Sequence, residues 1–91
     1  MISVEDCIAM CDLTREEIDA IAEHEHLSEV GAAALADYLM HAANGPAKVR
    51  QMIVDDIREA MEHRNRDHAR ELLVALKRFE KEHPESAPDV A

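Results

Sequence analysis

The feature that most constrains this chain is a segment of helical composition, residues 29–43, that carries almost no charge. Between Val30 and Ala43 the only side chains that become charged near neutral pH are Asp37 and His41, and alanine and leucine predominate. A surface helix of a globular protein keeps one polar face, whereas this segment is apolar on two faces. We therefore expect the segment to lie in the middle of a helical bundle or against a second subunit.

Helical periodicity recurs in four other segments, and no part of the sequence alternates between apolar and polar residues over the length of a β-strand. The five predicted helices span residues 4–11, 14–26, 29–43, 46–64 and 67–83. Because the connections are short, consecutive helices are expected to be antiparallel neighbours. The predicted fold is therefore all-α, a compact bundle of four to five short antiparallel helices. The apolar 29–43 helix is expected to be packed by the helices at 14–26, 46–64 and 67–83.

The predicted domain boundaries follow from the same pattern. Residues 1–83 are predicted to form a single helical domain, since 91 residues leave no room for a second core. Residues 84–91, with two prolines and several small or acidic residues, are predicted to be a frayed C-terminal tail.

Short local motifs predict where the helices begin and end. Thr14, followed three residues later by Glu17, has the sequence of a capping box. The Asn-Gly-Pro sequence at residues 44–46 ends one helix and starts the next, since Asn or Gly adopts the left-handed conformation and Pro suits a first turn. In the last connection, Asn65 is a candidate left-handed cap and Asp67 a candidate helix start.

The charge of the chain restricts its partners. Ten Lys and Arg residues against twenty Asp and Glu residues give a net charge of −10 with neutral histidines. This sign disfavours binding to nucleic acid phosphates or to an anionic membrane surface. No stretch approaches the roughly 18 apolar residues of a membrane-spanning helix, and acids rather than basic residues follow Met1. We therefore expect a soluble, cytoplasmic protein with no membrane or nucleic acid partner.

Residues 4–21 resemble a helix-turn-helix, in which a short helix and a turn precede a second helix. The inward apolar positions of that motif are occupied by Leu13, Ile18 and Ile21. The sequence departs from the motif at Ile8, where a small residue is usual, and at Asp12, where the turn usually has glycine. The resemblance implies a DNA-associated regulator, although the second helix is strongly acidic, and a helix that reads a DNA groove must approach phosphates. DNA binding is the third functional hypothesis.

Two Glu-x-x-His pairs and one Asp-x-x-x-His pair lie on predicted helices, and helical di-iron proteins use Glu-x-x-His pairs of this kind. The candidate metal ligands are Glu23, His26, Asp37, His41, Glu80 and His83. Carboxylates and imidazoles suit iron, manganese or zinc. Both Glu-x-x-His pairs lie at helix C-terminal ends, where a solvated histidine also interacts favourably with the helix dipole. A metal-binding protein is therefore the second hypothesis.

Cys7 and Cys11 lie one helical turn apart, the spacing of half a zinc or copper site. They share the helical stripe of Val4 and Ile8, and a free cysteine packs as a small hydrophobic residue. We interpret both cysteines as reduced core residues.

The sequence gives little support for catalysis. It contains no glycine-rich phosphate loop, and the positions of Ser3 and Ser28 are each explained by helix capping. We therefore predict that the protein is not an enzyme and needs no cofactor.

The leading functional hypothesis is a non-catalytic protein-interaction or regulatory module that acts by self-association, as a homodimer, or on a protein partner. A chain of this size covers a doubly apolar helix poorly, and association would bury the remainder. The candidate interface residues are Leu35, Tyr38, Leu39 and Met40.

Histidine placement predicts the response of stability to pH. Five histidines have an acid within four positions on the same predicted helix, which favours the charged imidazole. These histidines are His24, His26, His41, His63 and His83. We expect stability not to fall between about pH 7.5 and pH 6, whereas loss of a histidine-bound metal would lower it.

Overall fold

The computed structural model describes residues 13–87, which form four α-helices and one short 3₁₀ helix. The helices are α1 (Arg15–Glu25), α2 (Glu29–His41), α3 (Gly45–Glu62) and α4 (Arg66–Glu82), followed by the 3₁₀ helix Pro84–Ser86. No β-strand occurs in this part of the chain. The all-α prediction is confirmed, and α1 to α4 correspond to the last four predicted helices. The predicted helix at 4–11 and its two cysteines lie outside the described residues, as do most of the helix-turn-helix resemblance and residues 88–91.

The start of α1 has the predicted capping box. The Thr14 hydroxyl accepts a hydrogen bond from the Glu17 backbone N–H at 3.2 Å, and Glu17 Oε1 accepts one from the Thr14 N–H at 2.9 Å. At the start of α2, the Ser28 hydroxyl accepts from the Gly31 N–H at 3.2 Å. At these two helix starts, side chains therefore satisfy N–H groups that the helix leaves unpaired, whereas Asn44 makes no such bond at the start of α3.

The predicted connection between α3 and α4 is shifted by one residue. The left-handed residue is Arg64, with φ of 58°, rather than Asn65. Asn65 is instead the N-cap of α4, and its Oδ1 accepts from the His68 N–H at 3.3 Å. The side chain of Asn65 satisfies an end N–H more effectively than Asp67, which already lies inside the first turn.

The junction between α2 and α3 depends on one glycine. Asn44 is left-handed, with φ of 59°, as the sequence allowed. A Cβ atom on Gly45 would lie 1.4 Å from the carbonyl oxygen of Leu39. Any side chain at this position would force the end of α2 away from the start of α3.

The central helix is α3, not the apolar α2. Helix α3 packs against α1, α2, α4 and the 3₁₀ helix, whereas the principal contacts of α2 are with α1 and α3. The fully buried large apolar side chains are Ile18, Ile21, Val49, Ile53 and Phe79. The expectation that the 29–43 helix occupies the middle of the bundle is therefore wrong. Because α3 has 18 residues and a continuous apolar stripe, it spans the whole core, whereas α2 has 13 residues and leaves one face open.

The segment after α4 also differs from the predicted tail. Pro84–Ser86 forms a 3₁₀ turn that packs against α3, and the side chains of His83 and Ser86 are buried. The Ser86 N–H donates to the His83 carbonyl at 2.9 Å, which closes the turn. Pro84 suits the first position of such a turn because it lacks an N–H that would need a partner.

None of the helices in residues 13–87 combines the length and the apolar character needed to cross a bilayer.

Candidate functional site

One face of α2 points to solvent and is largely apolar; we call it the α2 outer face. It consists of Leu27, Val30, Ala34 and Tyr38. The exposed fractions are 42% for Leu27, 51% for Val30 and 69% for Tyr38. Residues 30, 34 and 38 are each four apart, so they form one row along the helix. Large apolar side chains with this exposure on adjacent turns are a candidate contact surface.

The four predicted interface residues divide between core and surface. Leu39 is 6% exposed and belongs to the core, and Leu35 and Met40 are partly buried against that core. Of the four, only Tyr38 lies on the α2 outer face. The sequence analysis missed Leu27, Val30 and Ala34, although the four-residue spacing of Val30 and Ala34 from Tyr38 was visible in the sequence.

A polar pair accompanies the α2 outer face. His41 Nδ1 donates to the Asp37 backbone carbonyl at 2.7 Å and lies 3.5 Å from the Asp37 carboxylate. The pair was predicted to share a face as metal ligands, and it does share one. The Nδ1 of His41, however, already donates a hydrogen bond to the Asp37 backbone carbonyl.

The other metal candidates have separate partners. Glu23 Oε1 lies 2.5 Å from His68 Nε2, and Glu80 accepts from Arg50 Nε at 2.8 Å. Within residues 13–87, no three His, Cys, Asp or Glu side chains form a group able to hold a metal ion.

The two Glu-x-x-His histidines lie apart from their predicted partners. His26 is the exposed left-handed residue that ends α1. His83 is buried, with its Nδ1 3.4 Å from Glu85 and its ring centroid 4.7 Å from that of Phe79. The structure therefore does not bring the six candidates to one centre.

A buried carboxyl group lies where α3 meets the end of α1. Asp56 is 1% exposed, and neither carboxyl oxygen has a hydrogen-bond partner among the described residues. Burial raises the pKa of Asp56 to about 7, and Glu23, Glu59 and Asp55 add repulsion, against which His24 provides partial compensation.

His24 connects α1 to α3 beside this group. Its Nδ1 lies 2.6 Å from Glu25 and its Nε2 lies 3.1 Å from Asp55. Partial burial lowers the pKa of His24, but the hydrogen bonds to Glu25 and Asp55 outweigh it, so the net pKa is raised. Hydrogen bonds from Gln51 and His24 lower the pKa of Asp55. Neighbouring Asp55 and Asp56 therefore have opposite pKa shifts.

A groove runs between α1 and α4, and we call it the α1–α4 groove. It contains a cavity of about 170 Å³. Its floor is apolar and consists of Ala20, Leu72 and Ala75. Its rim carries four carboxylates, Glu16, Asp19, Glu23 and Glu71.

His68 lies at one end of the α1–α4 groove and, within residues 13–87, is the only basic side chain that lines the cavity of about 170 Å³. Its hydrogen bond to Glu23 raises the pKa of His68, and the nearby Glu71 adds to that effect. His68 was not among the histidines predicted to lie near an acid, although Glu71 follows it by three residues on the same helix. Its partner Glu23 is distant in sequence and adjacent only in the folded bundle.

Compared with known proteins, the chain matches no protein-family model, no curated protein and no solved structure.

Proposed function

We propose that this protein is a non-catalytic interaction module that associates with a second copy of itself through the α2 outer face. The observation that carries the proposal is the row formed by Val30, Ala34 and Tyr38, extended by Leu27, on a helix whose opposite face lies in the core. Removal of such apolar surface from water favours association. A domain of this size gains most from it because its own core is small.

A twofold arrangement follows from the order of residues along α2. Two copies of the helix that cross about Ala34 place Val30 of each copy against Tyr38 of the other. The small side chain of Ala34 lets the two backbones approach. The Asp37–His41 pair then lies at the polar margin, as in an ordinary interface.

A charge placed on the outer face tests the proposal. We expect wild-type protein to elute with the mass of a dimer at high micromolar concentration and Tyr38→Lys with the mass of a monomer, measured by light scattering. Met61→Lys is the control, because Met61 is 64% exposed and lies near the end of α3. A monomeric wild type, or equal dissociation in both variants, would contradict the proposal.

A cross-link tests the geometry independently. We expect Ala34→Cys to form an intermolecular disulfide under mild oxidation, because the two copies of residue 34 face each other at the twofold axis. Wild-type protein and Met61→Cys carry the same native cysteines and serve as controls. Equal cross-linking of all three proteins would show that residue 34 is not at the axis.

The finer architecture is also a proposal. The pairs Glu23–His68 and Arg50–Glu80 support an antiparallel order of α1 and α4 and of α3 and α4. For metal or DNA binding, no contact among residues 13–87 provides comparable support, and we do not propose either function.

A further inference from the structure

We propose that the α1–α4 groove binds a lysine- or arginine-bearing segment of a partner protein. This surface differs from the α2 outer face, and the proposal does not depend on self-association. It rests on two features of the first cavity: an apolar floor and a rim that carries four carboxylates.

The size of the cavity limits what enters it. A volume of about 170 Å³ accommodates one long side chain and is too small for a helix or an aromatic cluster. The apolar floor suits the methylene stem of a lysine or arginine, because such residues bury the stem and keep the charged head in a polar environment.

The rim supplies the matching charge. Four carboxylates surround the floor of the first cavity, whereas His68, a weak base, is the only basic side chain among the described residues that line it. Burial and repulsion from Glu29 raise the pKa of Asp19, against attraction from Arg15, so negative charge is already crowded there. A cation in the groove relieves that repulsion, and an anionic partner would increase it.

The groove extends beyond one side-chain pocket. A second cavity of about 270 Å³ shares Glu16, Glu71 and Ala75 with the first and is also lined by Thr14, Val74 and the cationic Arg78. The Val74 side chain is 68% exposed, so the continuation beyond the carboxylate rim offers apolar surface. A partner segment that inserts a basic side chain into the first cavity therefore finds further apolar surface beside it. This continuity favours a polypeptide over a small free amine as the occupant.

Peptide titration tests the proposal. The probe is a capped alanine-based peptide with three lysines spaced four residues apart, and its control has glutamine at the same positions. We expect the lysine peptide to shift the backbone amide resonances of Ala20, Leu72 and Ala75, and to bind about tenfold more tightly than the glutamine peptide in low salt. Equal binding of the two peptides, or shifts elsewhere only, would overturn the proposal.

Matched charge variants separate a specific groove from the general attraction of an acidic protein. The groove variant is Glu16→Gln with Glu71→Gln, and the control is Glu59→Gln with Glu62→Gln on exposed positions of α3. Both variants remove two negative charges, and circular dichroism verifies that both fold. We expect about a tenfold loss of affinity in the groove variant and less than about a twofold loss in the control. An equal loss in both would show only non-specific charge attraction.

One variant separates peptide binding in the groove from self-association through the α2 outer face. Tyr38→Lys should bind the lysine peptide as wild type does, because Tyr38 does not line the groove. Loss of peptide binding in that variant would contradict the separation of the two surfaces.

Discussion

A buried carboxyl group lies near each end of α1, and the two are held in opposite ways. Near the first turn, Glu17 is 1% exposed, and its Oε1 accepts a hydrogen bond from the Thr14 backbone N–H. Its Oε2 has no hydrogen-bond partner among the described residues. Near the last turn, Asp56 of α3 is equally buried, yet neither of its oxygens has a hydrogen-bond partner among the described residues. Glu17 and Asp56 are therefore equally buried, but among the described residues only Glu17 receives a hydrogen bond from a backbone N–H.

The difference shows that the hydrogen-bond partner, and not burial alone, determines how much a buried carboxyl group destabilises the fold. Burial raises the pKa of both groups, but the hydrogen bond from Thr14 acts against that rise at Glu17. At Asp56, the attraction of His24 acts against burial and the repulsion of three neighbouring acids. A buried charge without hydrogen bonds destabilises a fold, whereas a bonded one can be neutral or favourable.

The largest effect on stability is expected at Asp56, whose carboxyl group has no hydrogen-bond partner among the described residues. Asp56→Ala should raise the free energy of unfolding at pH 8 by about 1–3 kcal/mol, because it removes an uncompensated buried charge. Asp55→Ala, one residue away, should lower it by about 0.5 kcal/mol, because Asp55 is half exposed and bonded to Gln51 and His24. Urea unfolding measures both values. Destabilisation by Asp56→Ala would mean that Asp56 has a stabilising partner in solution.

Replacement of Glu17 should change the free energy of unfolding in the opposite direction. Glu17→Ala should lower the free energy of unfolding by about 1–2 kcal/mol, since the Thr14 N–H loses its acceptor and a buried side chain is removed. Glu17→Gln keeps an acceptor oxygen and should cost less than Glu17→Ala. A Glu17→Ala variant as stable as wild type in urea unfolding would show that the hydrogen bond between Glu17 and Thr14 does not stabilise the fold.

The pH dependence should also distinguish the two ends. The stabilisation from Asp56 is complete below its unfolded pKa near 3.8 and is lost as pH rises through about 7. The raised pKa values of His24 and His68 change the stability in the same direction. Their contribution to the free energy of unfolding is complete below about pH 6.5 and is lost at higher pH. Asp55, with a lowered pKa, loses its contribution only in acid, below its ordinary value of 3.8.

We therefore expect the melting temperature to be about 5 °C or more higher at pH 6 than at pH 8. Asp56→Ala should flatten this dependence more than Glu17→Ala does. Thermal melts of the three proteins at both pH values measure the difference. A wild-type melting temperature that is lower at pH 6 than at pH 8 would contradict the sign assigned to all three groups.

The smallest effect is expected at the pair of His68 and Glu23, which links α4 to α1. His68→Gln should lower the free energy of unfolding by about 0.5 kcal/mol or less at pH 6, because its pair with Glu23 is partly exposed to solvent. The effect should shrink at pH 8, where the imidazole is less charged. Urea unfolding at both pH values measures it, and a loss of several kcal/mol would show that the pair is part of the core.

The features predicted correctly from sequence depend on residues close together in the chain. The capping box of Thr14 and Glu17 involves a few neighbouring residues whose local preferences suffice. The left-handed conformation was predicted for Asn44 or Gly45, and Asn44 adopts it. The shift at Arg64 shows the limit, since two adjacent residues could each end the helix.

The candidate surfaces were less predictable because they depend on which helix faces which. The apolar character of α2 was visible in sequence, but its open face was assigned only when α3 proved to be the central helix. The groove requires α1 beside α4, which brings together residues as far apart as Glu23 and His68.

The sequence by itself determined the helical segments, most of their caps and the acidic character of the chain, because these depend on local backbone preferences and composition. The tertiary structure alone decided that Asp56 is buried with no hydrogen-bond partner among residues 13–87 and that His68 meets Glu23. It also decided that Val30 and Tyr38 stay exposed while Leu39 is buried. Periodicity places residues on the faces of a helix, but only the position of the neighbouring helices determines which face is covered.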